Sequence, residues 1–160
     1  MKPVQKPIRL YVLTIFIVIS YGVMPFISAM PLGGRDFLLV VGFWALPLNG
    51  SFVILFGSEE APPFFFAVVS LALCVFTAAS AVWAFYGDQA GRVATLVFVT
   101  LDVLWWIGLV LNAIALNGIA DSLSLVIEPF PPLGWLSFIW WNFTRADMNE
   151  FYAYQSSLGR

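Results

Sequence analysis

Residues 100–112 read TLDVLWWIGLVLN, an apolar run that contains one carboxylate, Asp102, and two tryptophans, Trp105 and Trp106. The run predicts a helix that is covered on every side, because a surface helix keeps one polar face. Two things then need an explanation: what surrounds this helix, and what Asp102 does inside it.

The whole chain is nearly as apolar as that run. Of its 160 residues, 61% are hydrophobic and 10% are charged, whereas soluble domains carry about 25% charged residues. A soluble fold of this length could not cover so much apolar surface, so the composition predicts an integral membrane protein. The net charge of −2 and the absence of a basic patch give no reason to expect nucleic acid as a partner.

The scarcity of histidine and cysteine limits which cofactors and metals the chain can bind. The sequence contains no histidine and one cysteine, Cys74. Haem, copper and zinc sites ligated by histidine, internal disulfides and thiolate clusters are therefore excluded. We predict no cofactor bound through His or Cys and no enzymatic activity, although grooves beside Trp105 and Trp106 could hold the tail of a lipid or quinone.

Four stretches are predicted to cross a membrane, since about 20 apolar residues suffice for a span. They cover residues 10–30, 63–86, 93–116 and 125–143. A short polar turn, GDQAGR, joins the second and third stretches as an antiparallel hairpin. The predicted fold is thus an all-α integral membrane protein, a single domain over 1–160 with a small bundle of four transmembrane helices.

A further apolar segment, 37–56, is interrupted by Pro47 and Asn49-Gly50. We expect it to be re-entrant or to lie on the outer face, with a fifth span as the alternative. In the four-span threading, six of the seven Lys and Arg residues lie inside and Arg35 alone lies outside. The positive-inside rule then makes both termini cytoplasmic, including a tail over 145–160. The plan resembles that of many small prokaryotic membrane proteins, which predicts a prokaryotic plasma membrane.

Asp102 follows Val93 by nine residues, or about 13 Å along a helix, which is near the middle of the predicted span. Intramembrane carboxylates often mark an ion path, here with Asn112 and Asn117 as further candidates. The alternative is a polar clasp, in which Asp102 is hydrogen-bonded to a neighbouring helix. Candidate donors for the clasp are Ser20, Tyr21 and Thr77.

Two further residue sets are predicted to make contacts. Small residues recur about once per turn and are expected to let helices approach closely; they are Ala67, Ser70, Cys74, Ala78 and Ala81. Large aromatic residues are expected at the membrane interface or against lipid; they are Trp83, Tyr86, Trp105, Trp106, Trp140 and Trp141. The tail after Arg145 is expected to lie on the membrane surface or to dock on another subunit.

These features favour a non-catalytic accessory subunit of a larger integral membrane complex, which packs by apolar and aromatic surfaces. Its expected partners are the lipid bilayer and other membrane subunits, or further copies of the chain. The alternative function is a small oligomeric ion or proton channel or carrier that uses Asp102. A bound set of larger subunits would distinguish the first function from the second.

Overall fold

The computed structural model describes three parts of the chain, residues 4–23, 64–117 and 130–158. The segment 37–56 lies outside these residues. Every element in the described parts is helical, which confirms the predicted all-α character. In chain order the elements are α1 (Ile8–Ile17), a π-helical segment that continues it (Val18–Val23), α2 (Phe64–Phe85), α3 (Gln89–Asn117), α4 (Phe130–Phe143) and α5 (Ala146–Ser157).

The α2–α3 connection forms the hairpin that the polar turn predicts. Gly87 has a φ of 91°, a conformation that costs glycine little and other residues more. The Asp88 side chain caps α3, since its Oδ1 accepts the backbone N–H groups of Ala90 at 2.7 Å and Gly91 at 3.3 Å. A Cβ on Gly91 would lie 2.5 Å from the backbone nitrogen of Ala84, so this glycine permits the close approach of the two helices.

The core lies between the hairpin and the other helices: α1 and its π-helical segment pack on α2, and α4 packs on α3. Side chains from all five helices fill it. The buried members are Leu10, Leu13, Ile17, Tyr21, Cys74, Ala81, Ala84, Leu96, Val99, Ile139, Phe143, Met148, Phe151 and Tyr152. Burial of this apolar surface is the main favourable contribution to the fold.

The last helix completes the core. Met148, Phe151 and Tyr152 of α5 are at most 1% exposed, and the Tyr152 hydroxyl donates a hydrogen bond of 2.9 Å to the carbonyl of Ala84. The tail that was expected to lie on a membrane or on another subunit therefore packs on its own chain. Asp147 in the first turn of α5 is favourably placed toward the positive end of the helix dipole.

In the part of the chain that the structure describes, we find no helix with both the length and the apolar character to cross a membrane. α2 and α3, the two longest described helices, carry Thr77, Ser80 and Asp102 among their buried side chains.

This finding contradicts the predicted membrane bundle. The predictions of four spans over 10–30, 63–86, 93–116 and 125–143, and of the five-span alternative, are therefore wrong. The multi-pass location in a prokaryotic plasma membrane and the cytoplasmic placement of both termini depend on those spans and are contradicted with them. The physical reason is that hydropathy reports how apolar a stretch is and not what covers it, and in the fold these stretches contribute side chains to one shared buried core.

Candidate functional site

Asp102 lies on the buried face of α3, with 1% of its surface exposed. Its neighbours along that face are Thr95, Val99 and Val103, each at most 1% exposed. Thr95 satisfies its own hydroxyl by donating 2.8 Å to the carbonyl of Gly91, one turn earlier. Asp102 therefore lies in the interior of the bundle, where a carboxyl needs a hydrogen-bonding partner.

One partner comes from the π-helical segment. The Tyr21 side chain is completely buried and is hydrogen-bonded to the Asp102 carboxyl. Tyr21 in turn accepts a hydrogen bond of 3.0 Å from the indole Nε1 of Trp135 on α4. The Tyr21 interaction favours the charged form of Asp102, as a hydrogen bond donated by the hydroxyl does. We call this chain of hydrogen bonds, Trp135 to Tyr21 to Asp102, the polar chain; it links α4, the π-helical segment and α3.

The sequence offered three candidate donors for Asp102, namely Ser20, Tyr21 and Thr77. Tyr21 is the one of the three that the structure hydrogen-bonds to Asp102. Thr77 is also buried, but its hydroxyl donates 2.7 Å to the carbonyl of Leu73 in its own helix. Trp135 was missed. The feature that could have indicated Trp135 is its indole N–H, because a buried tryptophan usually donates this group to a polar partner.

Burial determines the protonation of this site. Desolvation raises the pKa of Asp102 well above its ordinary value, and the hydrogen bond from Tyr21 offsets this only in part. Burial, with the nearby Asp102 carboxylate adding to it, likewise raises the pKa values of the Tyr21 hydroxyl and the Cys74 thiol. The Asp102 oxygen Oδ2 has no hydrogen-bond partner among the described residues. Burial therefore favours the protonated form of Asp102 in the folded chain.

The local sequence explains how Tyr21 reaches Asp102. The π-helical segment is wider than an α-helix, and such segments often occur at functional sites. Gly22 lets this segment approach α2 closely, because a Cβ there would lie 3.3 Å from the Cβ of Ala78. Together the extra backbone width and the missing side chain bring Tyr21 into the interior.

The other polar candidates are not brought into this site by any described contact. Asn112 and Asn117 belong to the last turns of α3, and their side chains lie outside the described residues. In the small-residue set, Cys74 and Ala81 are buried and Ala78 is half-buried, all on α2. The side chains of Ala67 and Ser70 lie outside the described residues.

The aromatic candidates are mostly on the outside. Trp83, Tyr86, Trp140 and Trp141 are between 43% and 70% exposed, and Trp105 is half-buried. The Trp140 indole donates 3.0 Å to the hydroxyl of Thr100. The side chain of Trp106 lies outside the described residues.

A second polar cluster joins α5 to the α2–α3 turn. The Arg92 guanidinium donates to the side-chain oxygen of Asn149 and lies 5.1 Å from the centre of the Tyr152 ring. Burial lowers the pKa of Arg92, with Tyr152 opposing the shift. The cluster holds α5 in place and offers no free acid or base, since its polar groups are used in these contacts.

Comparison with known proteins gives no match: no family model, no curated protein and no solved structure is similar to this chain. By its fold and this site, the chain is an all-helical protein. A buried carboxyl on α3 is linked through Tyr21 of the π-helical segment to Trp135 on α4. In the described residues, no group of three or more His, Cys, Asp or Glu could hold a metal ion.

Replacing Tyr21 with phenylalanine tests the polar chain. The change keeps the ring but leaves the Trp135 N–H and the Asp102 carboxyl without their shared partner, so we expect the free energy of unfolding to fall by about 1–3 kcal/mol. Urea denaturation measures it. Tyr11→Phe is the matched control, because Tyr11 is 44% exposed. Equal losses in the two variants would show that the Tyr21 hydroxyl has no special role.

Proposed function

We propose that this chain is a non-catalytic accessory subunit of a larger protein assembly and joins it through the outer side of α1 and the adjoining part of α4. We define the outer side of α1 as Ile8, Val12 and Phe16. All three are apolar and are 53% to 81% exposed. An apolar surface of this kind, when it is continuous, is typical of an interface with another protein.

The observation that carries the proposal is that α1 is largely apolar on its exposed side as well as on its buried side, with Arg9, which pairs with Asp147, as the charged exception. Its inward side consists of Leu10, Leu13 and Ile17, which are at most 2% exposed, and its outer side is apolar as well. A helix that is hydrophobic on every side is normally covered on every side. The described residues cover only one side, which supports a partner on the other.

Continuity with α4 supports the same surface. The Phe16 and Trp135 rings pack with centroids 5.2 Å apart, and Trp135 stacks on Phe138 at 5.9 Å. Phe138 and Trp141 are 45% and 60% exposed. Aromatic residues are enriched in the buried centres of protein interfaces, which favours another protein as the partner.

The alternative function, an ion channel or carrier that uses Asp102, requires helices that cross a membrane. The described residues supply none. Asp102 is also engaged with Tyr21 in the interior of the bundle. An accessory role therefore accounts better for what the described helices expose, and it needs no water path to Asp102.

Val12→Glu tests the proposed interface. Val12 is 57% exposed, so the change is expected to alter stability by no more than about 0.5 kcal/mol. A carboxylate buried in an interface without a partner costs much more, so we expect the variant to be lost from the assembly. The measurement is native mass spectrometry of the complex purified from the source cells at native expression.

Leu104→Glu on α3 is the matched control, since Leu104 is 56% exposed and does not belong to the outer side of α1. We expect it to remain in the assembly. Particles that contain only this chain would contradict the proposal, and so would undiminished assembly of Val12→Glu. Particles with defined stoichiometry of a different protein, lost in Val12→Glu alone, are the expected result.

A further inference from the structure

A groove runs between α1 and the C-terminal part of α2, on the opposite flank of α1 from α4. Its volume is about 320 Å³, it is open to the outside, and the surface it offers is apolar. Its walls include Tyr11 and Ile15 from α1, Val18 from the π-helical segment, and Val82 and Phe85 from α2. The volume is at the lower end of the range for small-molecule sites, which is about 300–1,000 Å³.

The groove does not suit a polar ligand. Thr14 also lines it, but its hydroxyl oxygen is buried and offers no accessible hydrogen-bonding group. A ligand that buried amide or hydroxyl groups here would lose their hydrogen bonds to water without replacement. Saturated hydrocarbon has no such cost, so an alkyl chain is the chemistry that the walls accept.

One end of the groove carries a positive charge. The Lys6 ammonium lies 3.7 Å from the centre of the Phe85 ring and 5.5 Å from that of Tyr11, and both rings line the groove. No carboxylate of the described residues forms an ion pair with Lys6, whereas Arg9 pairs with Asp147 at 4.0 Å. Partial burial lowers the pKa of Lys6, because the ammonium group is less well hydrated there. A bound anion would compensate for this loss of hydration by its attraction to the positive charge.

We propose that this groove binds a long-chain fatty acid, with the alkyl chain between α1 and α2 and the carboxylate at Lys6. The apolar walls fit the chain, and the cation at the end fits the head group. A single ammonium matches a head group of one negative charge. A phosphate monoester, with a charge of about −1.5 to −2, would call for a second cation.

Equilibrium dialysis of the full chain with tritiated palmitate tests the proposal without any partner protein. Ile15→Trp places an indole in the groove from a position that is 58% exposed, and we expect at least a ten-fold loss of palmitate affinity. Val12→Trp, on the same helix and 57% exposed but not lining the groove, should bind as the wild type does. Val82→Trp fills the groove from α2 and should repeat the loss, which excludes an effect of misfolding in one variant.

Head-group selectivity is tested with Lys6→Gln and its control Arg9→Gln. We expect Lys6→Gln to weaken palmitate binding about five-fold, as befits a partly exposed ion pair, and to leave binding of hexadecanol unchanged. Arg9→Gln should alter neither. The proposal is overturned if wild-type protein does not bind palmitate, if Ile15→Trp binds like Val12→Trp, or if hexadecanol or lysophosphatidic acid binds more tightly than palmitate.

Discussion

Asp102→Asn is expected to remove most of the dependence of stability on pH above about pH 4. The pKa of Asp102 is raised in the folded protein by burial, whereas in the unfolded chain it returns to about 3.9. Between these two pKa values the folded state holds a proton that the unfolded state has released. Stability is therefore greatest below the unfolded pKa and decreases as pH rises toward the folded one.

The expected slope within this window approaches about 1.4 kcal/mol per pH unit, which is the value for one proton. Two other titratable groups, Tyr21 and Cys74, interact with Asp102, and burial raises both their pKa values, so they remain neutral in the acid part of the window. Asparagine cannot ionise, so the variant should show a much flatter profile and should exceed the wild type in stability at the upper end of the window.

Urea denaturation at half-unit intervals from pH 4 to pH 8 provides the measurement. Asp147→Asn is the matched control, since the Asp147 side chain is 46% exposed and pairs with Arg9 and Arg145 only at 4.0 Å. Its profile should follow that of the wild type. Parallel profiles of Asp102→Asn and wild type would mean that the carboxyl ionises in the fold as readily as in the unfolded chain.

The polar chain also indicates how far sequence reasoning reaches. Asp102 stands out in an apolar run, and a buried carboxyl requires a donor, so Tyr21 could be named as a candidate from the sequence. Trp135 could not, because it is 114 residues away from Tyr21 and nothing in local spacing brings the two together. The π-helical segment that directs Tyr21 inward could not be predicted either, because the same apolar pattern fits an α-helix and the wider turn of a π-helix.

The erroneous spans have a related cause. Hydropathy measures how apolar a segment is, but it does not say what covers the segment. Within the predicted span 125–143, the structure describes a helix over Phe130–Phe143, which includes Pro131 and Pro132 in its first described turn, where proline is tolerated. The hairpin was predictable because its signals are local: Gly87 for the turn and Asp88 for the cap. Local chemistry was thus read well, and long-range packing was not.

Tyr152→Ala is expected to have the largest effect on stability of any single change proposed for this chain. The Tyr152 ring is 1% exposed and lies in the core, where α5 meets the end of α2. Truncating a buried aromatic side chain to alanine removes its apolar contacts and leaves a cavity, which costs about 3–5 kcal/mol. The loss should be visible as a lower midpoint in urea with an unchanged slope, because the fold is retained.

Tyr152→Phe separates the contribution of the ring from that of the hydroxyl. It removes the 2.9 Å hydrogen bond to the Ala84 carbonyl but keeps the ring beneath Arg92, so its expected cost is about 0.5–1.5 kcal/mol. Tyr154→Ala, at a half-buried position of the same helix, should cost no more than about 1 kcal/mol. If Tyr152→Ala lowered the free energy of unfolding as little as Tyr154→Ala, α5 would not be an integral part of the core. The packing of α5 on the other helices would then contribute little to stability, and its apolar face would be available to a partner. A large loss at Tyr152 alone means that this face is occupied within the chain and is not available to a partner, as the proposed assembly through the outer side of α1 requires.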